Sequence, residues 1–332
     1  MKKSNAIDIV IIWVDGNDLN WQKEKNKYMP NSNDDFRFIR YRDWENLKYI
    51  FRGIEKFAPW VNKVHFVSCG QIPEWLNLNN PKLHYVNHKD YIPKEYLPTF
   101  SANPIEVNLH RIEGLAEQFI YFNDDTFITN YVKEEDFFKD GKPCDAAIEN
   151  PIVPSGNDII DYILLNDMEI LNKYFDKKDI RKKHFFKWYN PKYGLYLAKT
   201  ISLIQWKKIV GMRYSHLPSS ILKSTMEEIW KKEFEILDET SKNKFRSKSD
   251  VNQYLFTNWQ MLSGNFVPRK CSIGKFFLIQ DDNKKMIDSI VKQKYKMICL
   301  NDNSEINDFE KTKKEIISAF EKILPDKSSF EK

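Results

Sequence analysis

Apolar residues along this chain follow two rhythms, and the changeover divides it. Ile7 to Val14 (IDIVIIWV) is a nearly unbroken apolar run rich in β-branched residues, the pattern of a strand covered on both faces, as in a parallel sheet. It stops at Asp15-Gly16-Asn17-Asp18, a polar turn of the kind that carries ligand-binding groups after a central strand. A polar stretch around Asn31 to Asp35 follows. From Trp44 to Phe57, the spacing of Leu47, Ile50, Phe51, Ile54 and Phe57 predicts a helix, with Pro59 just past its end. Val64 to Val67 and Leu83 to Val86 read as short strands and Ile105 to Ile112 as helix. Gln118 to Phe122 (QFIYF) reads as a strand running into Asn123-Asp124-Asp125.

This alternation holds to about residue 135 and predicts an α/β fold, an open sheet with its ligand site at the strand ends. Beyond it, Ile159 to Phe175 and Ser219 to Leu237 read as amphipathic helix, and Val251 to Leu262 as a third helix with several aromatics. A late strand, Met297 to Leu300, ends in Asn301-Asp302-Asn303, and residues past Asp308 predict a terminal helix with a fraying tail. There is no internal repeat and no low-complexity linker. The expected organisation is therefore an α/β half over 1–135 carrying the site acids, a helical lobe over 136–308 that returns to the sheet and completes the site, and a C-terminal helix and tail over 309–332.

Composition narrows the partners. The chain has 332 residues, 42% of them hydrophobic, enough for a sizeable core. Its 52 Lys and Arg against 47 Asp and Glu are interleaved, which argues against nucleic acid and leaves room for polyanions such as nucleotide diphosphates, phosphate-containing glycans or an anionic membrane surface. The four cysteines, Cys69, Cys144, Cys271 and Cys299, are scattered without a CxxC pair and read as reduced thiols of a cytosolic protein. Met1-Lys2-Lys3 opens like a signal peptide, but the apolar stretch after it is too short, is preceded by Asp8 and has no small-residue cleavage site. No segment approaches the roughly 20 apolar residues of a membrane span. Work at a membrane would require recruitment.

Paired carboxylates at the end of a buried strand, here Asp124 and Asp125, can hold Mg²⁺ or Mn²⁺, although a solvated turn is at least as common for a lone dyad. Met297 to Asn303 (MICLNDN) repeats the grammar, and the two together make a shared cation site more plausible than either alone. Asp15 and Asp18 fit a structural or nucleotide-contacting role better than metal ligation. Arg40, Arg42, Arg111 and Arg246 are candidates to neutralise phosphate, although each taken singly is more often a surface ion pair. His110 and His216 could each serve as general base, and spacing does not choose between them. The aromatic-rich stretch from Phe185 to Trp206 could stack on sugar, although core packing is the commoner role.

Together these blocks resemble the Stealth family, which includes bacterial capsular hexose-1-phosphate transferases and the lysosomal-enzyme N-acetylglucosamine-1-phosphotransferase. The likeness rests on IDIVIIWVDGND from Ile7 to Asp18. It continues from Arg42 to Asp125 through Ala58-Pro59-Trp60-Val61, Gly70-Gln71-Ile72-Pro73-Glu74-Trp75-Leu76, Leu97-Pro98-Thr99-Phe100-Ser101 and His110-Arg111-Ile112-Glu113-Gly114-Leu115. Its last parts are His216-Leu217-Pro218 with Phe245-Arg246 and Asp250-Val251, and Cys299-Leu300-Asn301-Asp302-Asn303. One departure is Ser101-Ala102-Asn103-Pro104-Ile105-Glu106, where Asn103 adds polarity to the usual run.

The resemblance implies a Rossmann-like open sheet similar to a type-A glycosyltransferase core, with a packed helical second lobe. It places Asp124, Asp125, His216 and Arg246 in the active site, and promotes Asp302, beside Asn301, to a metal or substrate contact. On this reading Asp124, Asp125, Asn301 and Asp302 surround Mg²⁺ or Mn²⁺, and His216 is the base, with His110 second. Asp15, Gly16, Arg42, Gln71, Glu106, Arg111 and Asn123 face the substrate. The implied reaction moves hexose-1-phosphate or N-acetylhexosamine-1-phosphate from a UDP-sugar to a hydroxyl of an oligosaccharide or polysaccharide acceptor, free or lipid-linked, with release of UMP. The expected location is the cytoplasm, with at most peripheral attachment at the inner face of the plasma membrane. The first rival is a metal-dependent glycosyltransferase that releases UDP. The second is a non-enzymatic glycan-binding component of capsule machinery.

Overall fold

The computed structural model describes residues 6–29, 41–154 and 159–332; Arg40 and the polar stretch from Asn31 to Asp35 lie outside them. Eleven strands are formed among these residues. In the first half they are β1 (Ile7–Ile12), β2 (Val64–Ser68), β3 (Leu83–Asn87), β4 (Gln118–Phe122) and β5 (Thr126–Ile128). The rest are β6 (Phe138–Lys139), β7 (Lys142–Asp145), β8 (Ser219–Leu222), β9 (Val267–Pro268), β10 (Gly274–Leu278) and β11 (Met297–Asn301). The main sheet has the order β3-β2-β1-β4-β8. Its first four strands are parallel and β8 closes one edge antiparallel to β4. This is the open, parallel-rich α/β sheet expected from the alternation of strands and helices.

Alternate residues of β1 serve two separate cores. Ile7, Ile9 and Ile11 join one apolar cluster, Val10 and Ile12 the other, as the two-residue period of a strand requires when both faces are covered. The first core lies under the helix Leu47–Phe57, the C-terminal helix Phe309–Ile323 and the small sheet β10-β11-β5. Tyr49 stacks on Phe320 with ring centroids 5.1 Å apart. Gly53 lets the first helix pack on β5, since a Cβ there would stand 2.6 Å from the carbonyl oxygen of Ile128. The second core is built by helices Ile160–Tyr174, Lys223–Lys232, Phe234–Lys242 and Gln253–Leu262.

Three expectations are corrected. Ser219–Leu222 is strand, not helix, because this fully buried run pairs with β4 before the helix begins at Lys223. Ile105 to Ile112 is not one helix. The helix Ala102–Val107, capped by Ser101, ends at Asn108, whose amide turns back to the Pro104 carbonyl at 2.9 Å, and a separate 3₁₀ turn, Leu109–Arg111, follows. The tail past the last helix does not fray. Leu324 and Phe330 are buried, and Arg52 donates to both carboxylate oxygens of Glu331 at 2.8 Å.

Two features aim the site. β4 and β5 are consecutive, and the short connection between them is Asn123-Asp124-Asp125. β5 pairs with β11, so Leu300 N–H donates to the Asp125 carbonyl at 2.9 Å. Sheet pairing thus carries the acidic turn and the late Asn301-Asp302 segment to the same end of the molecule.

Candidate active site

A cavity of about 520 Å³ opens at that end, where ligands of open α/β sheets are held. Its wall includes Asn123, Asp124 and Asp125 after β4, Asn301 at the end of β11 and Asp302 after it, and Arg42, Glu106, His216 and Arg246. Nine of the residues singled out in the sequence therefore converge on one space, although they span positions 42 to 302.

Asp125 is the hub. Its Oδ2 lies 3.3 Å from His216 Nε2 and accepts from the Cys299 thiol at 3.4 Å. Its Oδ1 is buried and has no hydrogen-bond partner among the described residues. Asp124 beside it is reached by solvent yet ringed by protein. Burial, together with the charges of Asp125 and Asp43, raises its pKa to about 7. His216 holds a positive φ of 48°, a costly backbone for a non-glycine residue and one found at functional sites. Its burial would favour the neutral ring, but the charge and hydrogen bond of Asp125 outweigh it, and the pKa is raised.

A polar chain reaches the same nitrogen of His216. Tyr121 Oη lies 2.8 Å from Glu106 Oε1 and 2.5 Å from Asn123 Oδ1, and Asn123 Nδ2 lies 3.4 Å from His216 Nε2. A phenol has one proton for two such neighbours. Glu106, whose pKa burial pushes up, supplies the other when it is in the acid form.

The arginines part company. Arg42 forks onto both carboxylate oxygens of Asp302, with Nε to Oδ2 at 2.8 Å, and donates to the Asn303 carbonyl at 2.9 Å. Its guanidinium packs over Phe309. Asp302, expected as a metal or substrate contact, is thus engaged by a cation already on the wall. Arg246 lines the cavity, and its charge acts on both Glu106 and His216. Its loop is anchored through Asp250, which accepts from Asn103 Nδ2 at 2.7 Å, Asn243 Nδ2 at 2.6 Å and Ser247 N at 2.9 Å. Asn103, the departure noted in the sequence, is therefore an internal brace of the Arg246 loop.

Other expected residues stand back. His110 and Arg111 do not line the cavity: the imidazole packs against Trp230, the guanidinium lies 4.6 Å from the same ring, and burial depresses the His110 pKa to about 3. Asp15, Gly16 and Gln71 form a support behind the wall. Gln71 accepts from the Asp15 N–H at 2.8 Å and donates to the Asp15 carbonyl and to Asp18 Oδ2, each at 3.0 Å. Gly16 admits the Tyr41 carbonyl, which a Cβ would meet at 2.1 Å. Asp43, Tyr254 and Cys299 line or abut the acids and were not singled out from the sequence. Asp43 follows no apolar run in the sequence, and its signal is adjacency to Arg42.

Do these residues suit a divalent cation? Asp125, His216 and Cys299 offer donor atoms within 4.8 Å of one another. The buried, unpartnered Asp125 Oδ1 and the mutual repulsion of Asp124, Asp125 and Asp43 are what a bound cation would relieve. Carboxylates suit Mg²⁺ or Mn²⁺. The Cys299 thiol, raised well above its ordinary pKa by burial and by Asp125, is a neighbour and not a hard-cation ligand.

Comparison with known proteins identifies the family. Stealth protein conserved region 1 matches residues 5–33, region 2 residues 40–145 and region 4 residues 288–332; His216 and Arg246 lie outside these stretches. A capsular polysaccharide phosphotransferase WcwK of Streptococcus pneumoniae is 46% identical over 100% of both chains. The receptor polysaccharide phosphotransferase WefC of Streptococcus oralis is 42% identical, covering 98% of this chain and 99% of its own. The exopolysaccharide phosphotransferase cps2G of Lactiplantibacillus plantarum is 37% identical, covering 98% of this chain and 96% of its own. With full-length identity at this level and three conserved regions matched around the acidic turn and the Arg42–Asp302 pair, the chain belongs to the Stealth family.

Proposed function

We propose that this chain is a polysaccharide phosphotransferase that moves a hexose-1-phosphate or N-acetylhexosamine-1-phosphate from a UDP-sugar to a hydroxyl of a glycan acceptor. The observation that carries the reading is the unpartnered Asp125 Oδ1 on a cavity wall that also holds Asp124, His216, Arg42 and Arg246. The names of the relatives, all phosphotransferases of capsular, receptor or exopolysaccharide, support the same class.

In the step envisaged, an acceptor hydroxyl oxygen bonds to the sugar-bearing phosphorus. The bond from that phosphorus to the bridging oxygen breaks, UMP leaves with the electron pair, and the hydroxyl proton passes to His216 Nε2. Asp125 Oδ2, 3.3 Å away, steadies the imidazolium that results. Arg246 is the chain's cation for the oxygens of the transferring phosphate, and Arg42, held by Asp302, fixes the opposite wall. Asp124 and Asp125, with Asp43 beside them, would hold Mg²⁺ or Mn²⁺, which when bound neutralises diphosphate charge. Such transfer depends on positioning and charge neutralisation more than on covalent participation.

The test is to incubate the purified chain with a panel of UDP-sugars, Mg²⁺ and capsule oligosaccharides and to identify the products by mass. UMP with an acceptor heavier by a sugar phosphate supports the reading. UDP with an acceptor heavier by the sugar alone makes the chain a glycosyltransferase. No metal-dependent nucleotide binding would favour a glycan-binding component.

A further inference from the structure

Between residues 176 and 213 the chain turns apolar side chains outward. Leu195 and Phe186 are 95% and 83% exposed, the two most exposed large apolar side chains among the described residues, and Phe185, Ile201, Ile204 and Trp206 join them. The inner side of the same stretch is already packed, with Trp188, Tyr193, Leu203 and Ile209 buried. The outward residues are therefore not core residues left uncovered. Three of them are linked: Phe186 packs on Phe185 at 5.5 Å, Phe185 on Tyr189 at 4.8 Å, Arg181 lies 5.9 Å from the Tyr189 ring, and Arg181 donates to the Ile204 carbonyl at 2.9 Å. Gly194, at φ 58° and ψ −138°, adopts a backbone nearly closed to residues with a Cβ immediately before Leu195.

Charge says what this face meets. Residues 176–213 hold eleven Lys and Arg against Asp176, Asp179 and no Glu; Lys177 is buried against Glu149, which leaves ten for the surface, in a chain whose charges are otherwise interleaved. Apolar tips set among cations match the headgroup region of an anionic membrane, where aliphatic and aromatic tips enter the acyl boundary and lysines meet lipid phosphates. A second copy of the chain fits poorly, because isologous pairing would set like charges face to face. A polyanionic glycan would explain the lysines but not Leu195, Ile201 and Ile204.

We infer that this face seats the protein on an anionic lipid bilayer. No helix among the described residues is long and apolar enough to cross a membrane, so the contact is peripheral. It lies close to the cavity: Arg213 sits 4.4 Å from the Tyr196 ring, and the next residue, Tyr214, lines the cavity. A membrane-anchored acceptor would then reach the site without leaving the surface. That consequence rests on the phosphotransfer reading; the bilayer contact does not.

The experiment is vesicle flotation of the full chain without substrates, using phosphatidylcholine alone and phosphatidylcholine mixed with phosphatidylglycerol. The chain should float with the anionic vesicles, less so at high salt. Leu195→Ser with Phe186→Ser should weaken partitioning about tenfold or more, and Lys207→Glu with Lys208→Glu should do likewise. Both variants should retain unchanged circular dichroism and unchanged turnover of a soluble acceptor. Absence of flotation by the parent chain at low salt overturns the proposal, as does flotation that neither pair alters. A parent dimer in light scattering that L195S/F186S converts to monomer, with no flotation, assigns the face to a second copy instead. Loss of turnover in all proteins with flotation intact would strike the phosphotransfer reading and leave the membrane seat standing.

Discussion

His216 Nε2 stands 3.3 Å from Asp125 Oδ2 and 3.4 Å from Asn123 Nδ2, so one nitrogen faces an acceptor and a donor that it cannot satisfy in the same protonation state. With a proton it pairs with Asp125; without one it can accept from Asn123. This is the arrangement of a group that gains and loses a proton while staying in place. Asp125→Asn should lower kcat/KM by about 100-fold or more with little loss of thermal stability. It should also abolish the stabilisation that Mg²⁺ with UDP gives in a thermal-shift assay. Retention of both would remove Asp125 from the site.

Arg42 and Asp302 should behave as one unit. Each is part-buried, and removing either breaks the ion pair, leaving Arg42 with the Asn303 carbonyl. Arg42→Ala and Asp302→Ala should each reduce turnover by at least about tenfold, and the double variant should be scarcely worse than either single one. Losses that multiply would mean that Asp302 acts apart from Arg42, as a direct cation ligand. Steady-state kinetics on the three variants decides this.

The tail offers a stability prediction. Arg52 and Glu331 are nearly buried and share two parallel hydrogen bonds. Glu331→Ala should cost about 3–5 kcal/mol, because it strands a buried guanidinium. Arg52→Met with Glu331→Leu should recover most of that loss. Denaturant unfolding of the two proteins makes the comparison, and a Glu331→Ala loss below about 1 kcal/mol would show the tail to be only loosely docked.

A pH dependence follows from His110. Burial holds its folded pKa near 3 against an ordinary value of 6.5, so between these values the unfolded chain binds a proton that the folded chain refuses. The contribution of His110 to stability is therefore full above 6.5 and falls as pH drops, by about 1.4 kcal/mol per unit. Buried carboxylates such as Glu106 and Asp167, whose pKa values are raised, act with the opposite sign. The readout is therefore a difference: the stability of His110→Leu minus that of the parent should rise as pH is lowered from 6.5 to 4.5. A pH-independent difference would mean that the imidazole takes up its proton in the folded chain.

Strands β1, β2, β4 and β11 can be read from the sequence because each is a largely apolar run buried almost throughout, and the edge strand β3 shows through Leu83, Tyr85 and Val86 although it is only partly covered. β8 escapes because its four residues lead straight into a helix, and a short apolar run has no period of its own. β5 escapes because three residues after Asp125 look like the remainder of a turn. The site divides in the same way. Asp124, Asp125 and Asp302 announce themselves by following strands, whereas His110 and Arg111 carry suitable chemistry on a 3₁₀ turn that faces Trp230. Residue type states what a side chain can do, and only packing states where it points.

The pairing of β5 with β11 also sets a clock. Asp125 and the Cys299 thiol that donates to it are 174 residues apart in sequence. At the ordinary pace of translation, the acidic turn emerges from the ribosome on the order of ten to thirty seconds before the strand that must lie beside it. Until that strand arrives, a nascent chain has the β1–β4 frame and the carboxylates but not the second wall of the cavity. A polypeptide released between β5 and β11 would carry Asp124 and Asp125 without the strand that completes their cavity, and on the proposed function it should be inactive.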